Sequence, residues 1–411
     1  MQMSTADSHT ASHFLELEDQ FSAHNYHPLP VVLSRGQGVH VWDLEGKKYY
    51  DFLSGYSALN QGHCHPKIIS SLIGQAQKLT LTSRAFHSDQ LAEYAQFITK
   101  YFGYDKVLPM NTGVEAVETA IKLARRWGYD QKSIPENKAR IIVFDGNFHG
   151  RTSTVISFSS DPDSYSRFGP FMPGFDLIPY NDTEALAKAL QNPDVAAILM
   201  EPIQGEAGVV VPDDGYLSKA YGLAKESNSL FIADEIQTGL GRTGKMLACD
   251  HEGLRPDILI LGKALSGGVL PVSAVLADDE IMLTIKPGEH GSTYGGNPLA
   301  CAVAITSLTV LKEEKMTENA ALMGDYFRNG LRKMNSPFIQ TIRGKGLLNA
   351  VVIHQTKPDT AWDLCLELME NGLLAKPTHG NKIRFAPPLT ITKNQLDECL
   401  EIIEESLNTL H

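Results

Sequence analysis

An aspartate and a lysine each end a short apolar run that predicts a buried β-strand. Asp234 ends the run LFIAD, and Lys263 stands two residues after the run ILIL. Open α/β sheets hold ligands at the carboxyl ends of their strands, so both side chains are expected at one binding edge. Burial lowers the pKa of an ammonium group, which frees a lysine amine to attack a carbonyl. A nearby carboxylate suits a cationic ring nitrogen.

Taken alone, Lys263 would more often be a solvated lysine, and Asp234 would equally suit the N-cap of a helix. Together they match the needs of pyridoxal phosphate (PLP), which are a lysine for a Schiff base and an acid for the pyridine nitrogen. PLP is therefore the predicted cofactor once the motifs below are added.

A phosphate site is predicted where the run KVLPM meets NTGVEAVETAIKLARRWG, residues 111–128. Apolar residues recur there at helical spacing, so Thr112, Gly113 and Val114 would open a helix whose free N–H groups can hold a phosphate. Glycine lets the backbone approach a ligand closely. The alternative is a routine strand-to-helix turn capped by Thr112.

Two further segments supply side chains that a PLP site uses. Phe148 in GNFHGRTSTV has a ring face that can stack on a cofactor, and Arg151 has a guanidinium that can bind a carboxylate at two points. Taken singly, they would more often be core and surface residues. The glycine-rich segment 286–298 contains Ser292 and Thr293 and resembles a phosphate-binding loop.

Two motifs with other functions are rejected. Residues 239–245 have the GxxxxGK spacing of a nucleotide-binding loop, but Met246 stands where a Mg²⁺-binding Ser or Thr is needed. The run HCH at 63–65 imitates a metal cluster, yet no further Cys or His lies near it and Pro66 indicates a turn. We therefore predict no metal site and no nucleotide site.

The order of the predicted elements indicates an α/β fold. Apolar runs alternate with helical stretches from about 106 to 277, which predicts βαβ units and a mostly parallel sheet. A long helix is predicted over 297–314, with Pro298 just inside its start. The smaller α+β unit that follows has predicted helices at 318–334, 359–371 and 393–409 and strands at 347–353 and 382–386.

These elements predict a large domain with a mostly parallel central sheet and a smaller C-terminal α+β domain. The expected divisions are a flexible arm at 1–24, a segment at 25–60 that contributes to the small domain and the active site, a large PLP-binding domain at 61–315, and the small domain at 316–411.

Composition narrows the class of protein further. The 411 residues include 36 Lys plus Arg against 48 Asp plus Glu, a formal charge of −12, which argues against a nucleic-acid or anionic-membrane surface. No apolar stretch approaches the roughly eighteen residues of a membrane span. Five cysteines without a CxxC pair indicate a reducing compartment. The N-terminal region is acidic before Arg35, unlike an Arg-rich transit peptide, so we predict a cytoplasmic location.

The chain resembles the fold-type I, class III (ω-) aminotransferases, and within that family it is most similar to the members that use ornithine. The resemblance extends over roughly residues 22–409. It is carried by the segments NYHPLPVVLSRG, NQGHCHPKI, LTLTSRAF, KVLPMNTGVEA, FGPFMPGFD, EPIQGEAGVVVP, FIADEIQTGLGRTG, LLAKPTHG and IRFAPPL.

The resemblance implies roles for the residues around the cofactor ring. Lys263 would form the Schiff base with PLP and then move the proton between the substrate carbon and the cofactor. Asp234 would pair with the pyridine nitrogen, Gln237 would hydrogen-bond the ring hydroxyl, and Phe148 would stack on the ring.

The resemblance also implies a phosphate site shared between two subunits. Gly113 and Val114 would donate N–H groups to the phosphate. Thr293, with Ser292, would complete the site from the neighbouring subunit, so the active form should be a homodimer or a higher homo-oligomer.

The implied reaction transfers the δ-amino group of L-ornithine to 2-oxoglutarate. The products would be glutamate and glutamate 5-semialdehyde, which cyclises to pyrroline-5-carboxylate, a link between arginine and proline metabolism. Tyr26 and Arg151 would hold the ornithine carboxylate, and Tyr56 would lie near its α-amino group. Glu206 would pair with Arg384 and later release it to bind 2-oxoglutarate.

Other functions remain as alternatives. An acetylornithine or GABA aminotransferase would use the same PLP residues. A PLP-binding protein without turnover would lack Lys263 or the substrate arginines, and both are present. One residue departs from the expected pattern: His149 stands where some relatives have a bulkier aromatic side chain.

Overall fold

The computed structural model describes residues 10–410. Its helices are α1 (Ala11–Phe21), α2 (Ser54–Ser57), α3 (Pro66–Ala76), α4 (Asp89–Phe102), α5 (Gly113–Asp130), α6 (Pro162–Tyr165), α7 (Thr183–Ala189), α8 (Tyr216–Glu226), α9 (Asp279–Met282), α10 (Pro298–Glu313), α11 (Met316–Lys333), α12 (Thr360–Glu370) and α13 (Lys393–Asn408). Its strands are β1 (Leu33–Gln37), β2 (His40–Asp43), β3 (Lys48–Asp51), β4 (Lys106–Met110), β5 (Arg140–Phe144), β6 (Phe175–Ile178), β7 (Val195–Met200), β8 (Leu230–Asp234), β9 (Ile258–Leu261), β10 (Ser273–Ala277), β11 (Ile339–Lys345), β12 (Leu348–Ile353), β13 (Leu373–Leu374), β14 (Lys376–Thr378) and β15 (Lys382–Phe385).

A seven-stranded sheet forms the centre of the larger domain, in the order β4-β10-β9-β8-β7-β5-β6. All neighbours are parallel except β10, which runs antiparallel to both β4 and β9. Every residue of β7 is buried, because both faces of the sheet are covered. Consecutive residues of one strand, such as Ile141 and Ile142, belong to two separate core clusters, one on each face of the sheet. The predicted mostly parallel α/β fold is confirmed.

Two smaller sheets complete the fold and contribute residues to the larger core cluster. The C-terminal sheet has the order β11-β12-β15-β14 and is antiparallel throughout. The other joins β1, β2 and β3 to β13, with Tyr50 beside Leu373 in a parallel pair. This pairing supports our proposal that residues 25–60 contribute to the small domain. The divisions at 61–315 and 316–411 are likewise proposals.

The predicted long helix corresponds to α10. Pro298 occupies its first turn, where its missing N–H costs nothing, and the Asn297 side chain accepts a hydrogen bond from the Ala300 N–H at 2.8 Å. Lys315 then takes a left-handed conformation, φ 50°, and α11 begins. The chain therefore turns close to the predicted division at 315.

The predicted arm at 1–24 contains more regular structure than its composition indicated. Residues 1–9 lie outside the described part. Thr10 caps α1 by accepting from the His13 N–H at 3.3 Å, and no residue of α1 is buried. Among the described helices, none combines the length and the apolar character needed to cross a membrane.

Candidate active site

Lys263 and Asp234 meet at the carboxyl edge of the central sheet. Asp234 ends β8, and Lys263 follows the neighbouring parallel strand β9. Asp234 lies beside Ile260 of β9. Lys263 opens a short 3-10 turn with a left-handed φ of 43°, a conformation that costs energy outside glycine. Burial lowers the pKa of its amine. The strand-end rule thus identified both positions.

A cavity of about 200 Å³ opens at this edge and collects most of the predicted cofactor residues. Predicted residues that line it are Gly113, Phe148, Glu206, Asp234, Gln237 and Lys263. The lining also includes His149 and Glu201, which we did not predict to belong to the site.

His149 fixes the carboxylate of Asp234. Its Nδ1 lies 2.7 Å from Asp234 Oδ2, while Asp234 Oδ1 accepts from the Ile236 N–H at 3.1 Å. A carboxylate only accepts, so Nδ1 carries the hydrogen. Burial lowers the pKa of His149, but the hydrogen bond and charge of Asp234 outweigh it and leave the pKa raised. Both side chains are almost fully buried, so the carboxylate has one orientation toward the cavity.

Glu201 is a second residue that sequence reasoning missed. It directly follows β7, so the strand-end rule applied to Asp234 would have found it. Its two carboxyl oxygens accept the N–H groups of Phe148, at 2.8 Å, and Gly205, at 3.4 Å. Burial, together with the charge of Asp234, raises the pKa of Glu201 to about 7.

The raised pKa of Glu201 gives a testable effect on stability. The folded protein holds this proton more tightly than the unfolded chain, so stability falls as the pH rises from 4.5 to about 7. Glu201→Gln removes this titration. Relative to wild type, its free energy of unfolding should therefore rise by on the order of 2 kcal/mol between about pH 5 and about pH 8. Denaturant unfolding at both pH values measures this; parallel pH dependences in the two proteins would contradict it.

The predicted phosphate turn opens α5. Thr112 and Glu115 form a capping box, in which each side chain accepts the other residue's N–H. Gly150, at φ 123°, packs against this turn so closely that a Cβ would lie 2.4 Å from Val114 Cγ2. The N–H groups of Gly113 and Val114 have no intrahelical acceptor, and Gly113 lines the cavity, so this turn is suited to hold a phosphate.

Ser292 and Thr293 lie near the same turn. The Asn111 amide donates to Ser292 Oγ at 2.7 Å within one chain, while Thr293 is exposed. Their contribution to a neighbouring subunit stays a prediction.

Tyr56, Glu206 and Arg384 form a cluster that reaches the cavity through Glu206. The Arg384 guanidinium donates to Glu206 at 2.5 Å and lies 5.3 Å above the Tyr56 ring. Burial alone would raise the pKa of Glu206, but the charge and hydrogen bond of Arg384 lower it below its usual value. The pair is therefore ionised at neutral pH. Gln237 also donates to Glu206, at 3.3 Å, which joins this cluster to the cofactor side.

The backbone around Tyr56 is held in an uncommon conformation. Residues 54–57 all have positive φ, between 51° and 69°. Asp51 supports this turn by accepting the N–H groups of Leu53 and Ser54 at 2.9 and 2.8 Å. Strain of this kind concentrates at functional sites.

Tyr26 and Arg151 complete the predicted substrate set. Arg151 lies 5.7 Å above the Phe148 ring, and Tyr26 is 65% exposed. Burial raises the pKa of Tyr56. Tyr56, Glu206 and Arg384 therefore lie together and Arg151 lies against the cavity residue Phe148, whereas the contact of Tyr26 with this site stays a prediction.

The residues present fit PLP. Gln237 Oε1 and His149 Nε2 are buried without a hydrogen-bond partner in the described chain. Gly205 makes room for the amide, since a Cβ there would lie 1.4 Å from Gln237 Oε1. The amide oxygen suits a ring hydroxyl, Asp234 a pyridine N–H, and Lys263 an aldehyde.

Comparisons with known proteins agree with this site. The family model described as "Aminotransferase class-III" matches residues 21–407. The "Ornithine aminotransferase, mitochondrial" of Drosophila melanogaster is 63% identical over 95% of this chain and 90% of its own length. The structure of the ornithine aminotransferase from Toxoplasma gondii has a TM-score of 0.97 and 50% identity, covering 98% of this chain and 95% of its own.

A third relative bears on substrate choice. The structure of the acetylornithine aminotransferase from Elizabethkingia anophelis is 57% identical, with a TM-score of 0.89, over 97% of this chain and 99% of its own.

The predicted cytoplasmic location is wrong by this evidence. Several relatives, the fly protein among them, are named mitochondrial, although others carry no location in their names. The prediction rested on the acidic composition of the N-terminal region, and composition does not determine which targeting receptor recognises a protein.

The predicted PLP-dependent ornithine aminotransferase activity is confirmed by the family match together with the relatives' full-length similarity. The chain belongs to the class III aminotransferase family.

Proposed function

We propose that the protein moves the δ-amino group of L-ornithine to 2-oxoglutarate, and that the residues of this cavity do so in the roles given below. The observation that carries this assignment is the buried pair of Glu206 and Arg384 beside Tyr56. It offers one site that can present either a neutralised or a free guanidinium to a substrate.

Lys263 handles the amine and the proton. PLP, when bound, supplies an aldehyde for the amine and a ring that accepts an electron pair. Burial lowers the pKa of Lys263, which favours the neutral amine that a base requires. Asp234, oriented by His149, offers a fixed negative charge to a ring nitrogen.

The pair of Glu206 and Arg384 explains how one pocket serves two substrates. While Glu206 neutralises the guanidinium, the site does not attract a second carboxylate, which suits a δ-amine with a plain carbon chain. When the guanidinium is released, it can bind the α-carboxylate of 2-oxoglutarate in a bidentate contact.

The far end of ornithine carries a carboxylate and a free α-amine. Arg151 supplies a cation for the carboxylate, and the Tyr26 hydroxyl a donor. The Tyr56 hydroxyl can accept a hydrogen bond from the α-ammonium group. This polar end is what separates ornithine from GABA, which has no α-amine.

N-acetylornithine is the second candidate substrate, favoured by the similarity to the Elizabethkingia anophelis structure. An acetyl group removes the α-ammonium charge, so the hydroxyl of Tyr56 would lose its ionic partner. Glu206, held by Arg384, offers the acetyl amide no free charge either.

Product analysis tests the assignment. With L-ornithine and 2-oxoglutarate, the enzyme should form glutamate and glutamate 5-semialdehyde in equal amounts, the latter trapped as its cyclised product. Formation of the α-keto acid of ornithine would show that the α-amine reacts, and it would contradict the proposed orientation.

Replacing Tyr56 by isoleucine should lower the preference for ornithine over N-acetylornithine by about tenfold, since one charge-assisted hydrogen bond is lost. The ratio of kcat/KM for the two substrates measures the effect. Tyr101, whose hydroxyl lies against Met246 away from the cavity, provides a control as Tyr101→Phe. An unchanged ratio in Tyr56→Ile would remove this residue from the specificity set.

We also propose a homodimer and, from the relatives' names, a mitochondrial location. Thr293 is exposed and Tyr294 is 58% exposed, beside the loop that approaches α5, which supports contact with a second copy. The semialdehyde product would link arginine and proline metabolism.

A further inference from the structure

Arg242 is the largest side chain that is fully buried in the described chain. Burial lowers the pKa of its guanidinium to about 9. All four of its hydrogen bonds in the described residues go to amide and backbone oxygens, none to a carboxylate. A buried cation without an ionic partner is costly, so its contacts must compensate.

Those contacts join Arg242 to three other segments of the chain. Arg242 Nε and one terminal nitrogen donate to Asn60 Oδ1 at 3.1 and 2.6 Å. The other terminal nitrogen donates to the carbonyl oxygens of Leu347 and Pro387 at 3.0 and 2.6 Å. Only a planar guanidinium presents donors in this fixed fork, so lysine cannot replace it.

Main-chain hydrogen bonds strengthen the same junction. The Leu347 N–H donates to Arg242 O at 3.0 Å, and the Leu389 N–H donates to Asn60 O at 2.8 Å. Leu347 and Pro387 belong to the C-terminal part, and Asn60 ends the segment at 25–60 that we proposed to contribute to the small domain. Arg242 belongs to the part that carries the central sheet. The guanidinium therefore joins the proposed large domain to segments of the proposed small one.

Four segments meet at this guanidinium, counting that of Arg242 itself, and three of them lie close in sequence to residues of the candidate site. Along the chain, Asn60 lies four residues after Tyr56, Pro387 three residues after Arg384, and Arg242 five residues after Gln237. The position of Arg384 against the cavity residue Glu206 thus depends on how firmly its strand, β15, is held at this junction.

We propose that Arg242 is a positioning residue for the keto-acid half-reaction, because it fixes the backbone that presents Arg384 to the incoming dicarboxylate. This inference rests on the proposed function. During the ornithine half-reaction Arg384 is held by Glu206, so a small shift of β15 is absorbed within the pair. Once Arg384 leaves Glu206, its backbone alone sets where the guanidinium lies.

Arg242→Lys keeps the charge but loses the fork. We expect the apparent affinity for 2-oxoglutarate to fall by about tenfold, since small misplacements of a binding group carry costs of that size or more. The rate with L-ornithine should stay within about twofold of wild type. Asn60→Ser, which shortens the shared acceptor, should shift the same constant in the same direction by a smaller factor.

Arg328→Lys is a matched control. Arg328 is also buried and donates to the Gly346 carbonyl and the Asn349 amide, at 2.7 and 2.6 Å. Unlike Arg242 it also pairs with a carboxylate, that of Asp325, and it joins parts of the C-terminal region only. Its replacement should lower thermal stability without changing either half-reaction.

The test follows each half-reaction separately in the PLP-loaded enzyme by stopped-flow absorption of the cofactor. Calorimetric binding of glutarate, a dicarboxylate that cannot react, gives a second readout, and its Kd should rise about tenfold in Arg242→Lys. Equal effects on both half-reactions, or equal behaviour of Arg242→Lys and Arg328→Lys, would overturn the inference. If L-ornithine does not change the cofactor spectrum of the wild-type enzyme, the proposed function is overturned, and this inference with it.

Discussion

Replacing Lys263 by alanine should lower the rate of amino transfer by about 10⁴-fold or more, because one side chain supplies both the nucleophile and the base. The variant should also lack the visible absorption band of a cofactor bound through a lysine. Single-turnover kinetics with L-ornithine, together with the spectrum of the purified protein, measure both effects.

The control for this variant is Lys245→Ala. Lys245 is exposed and completes the GxxxxGK spacing that we rejected as a nucleotide site. It should leave the spectrum and the rate unchanged. If Lys263→Ala keeps its activity, the catalytic assignment is wrong. ATP binding that survives Lys263→Ala and is lost in Lys245→Ala would instead revive the nucleotide site.

Asp234→Asn should slow the ornithine half-reaction by about 10²-fold to 10³-fold, the range found when one preorganised electrostatic partner is removed. The amide can still accept the Ile236 N–H, so the backbone is kept while the negative charge is lost. Retention of PLP should weaken as well, which fluorescence titration of the apoenzyme measures.

Asp257→Asn is the matched control for Asp234. Asp257 precedes β9 at the opposite edge of the same sheet and accepts the Phe231 N–H at 2.8 Å. It should affect stability and not turnover. The rate of His149→Gln should lie between the rates of these two variants, because this change removes the contact that orients Asp234 but keeps the Asp234 charge. Equal rates in Asp234→Asn and Asp257→Asn would contradict the role of the Asp234 charge.

Local rules found the centre of the site. Lys263 and Asp234 follow from the ends of apolar strands, and Gly113 from the turn that opens a helix, because each signal lies within a few residues of sequence. The same rules gave the mostly parallel sheet and the start of α10 at Pro298.

Contacts between distant segments were beyond such rules. His149 meets Asp234 across 85 positions, and Arg242 meets Pro387 across 145. Their partners depend on how whole elements pack, which no spacing within a motif encodes. Glu201 was different, because it ends a buried strand and the rule was not applied to it.

The family resemblance supplied the proposed substrate residues, and the fold brings three of them together. Tyr56, Glu206 and Arg384 come from three parts of the chain, and Arg384 on β15 contacts both of the others. Their proposed roles are therefore tested best by measuring substrate preference, and not by measuring the stability of the variants.

The most direct measurement is the visible absorption spectrum of the PLP-loaded enzyme before and after L-ornithine is added without a keto acid. We predict that the cofactor band bleaches with L-ornithine, and much less with N-acetylornithine or GABA. A band that is present but unchanged by L-ornithine, or one that N-acetylornithine bleaches more readily, would contradict the assignment of ornithine as the amino donor.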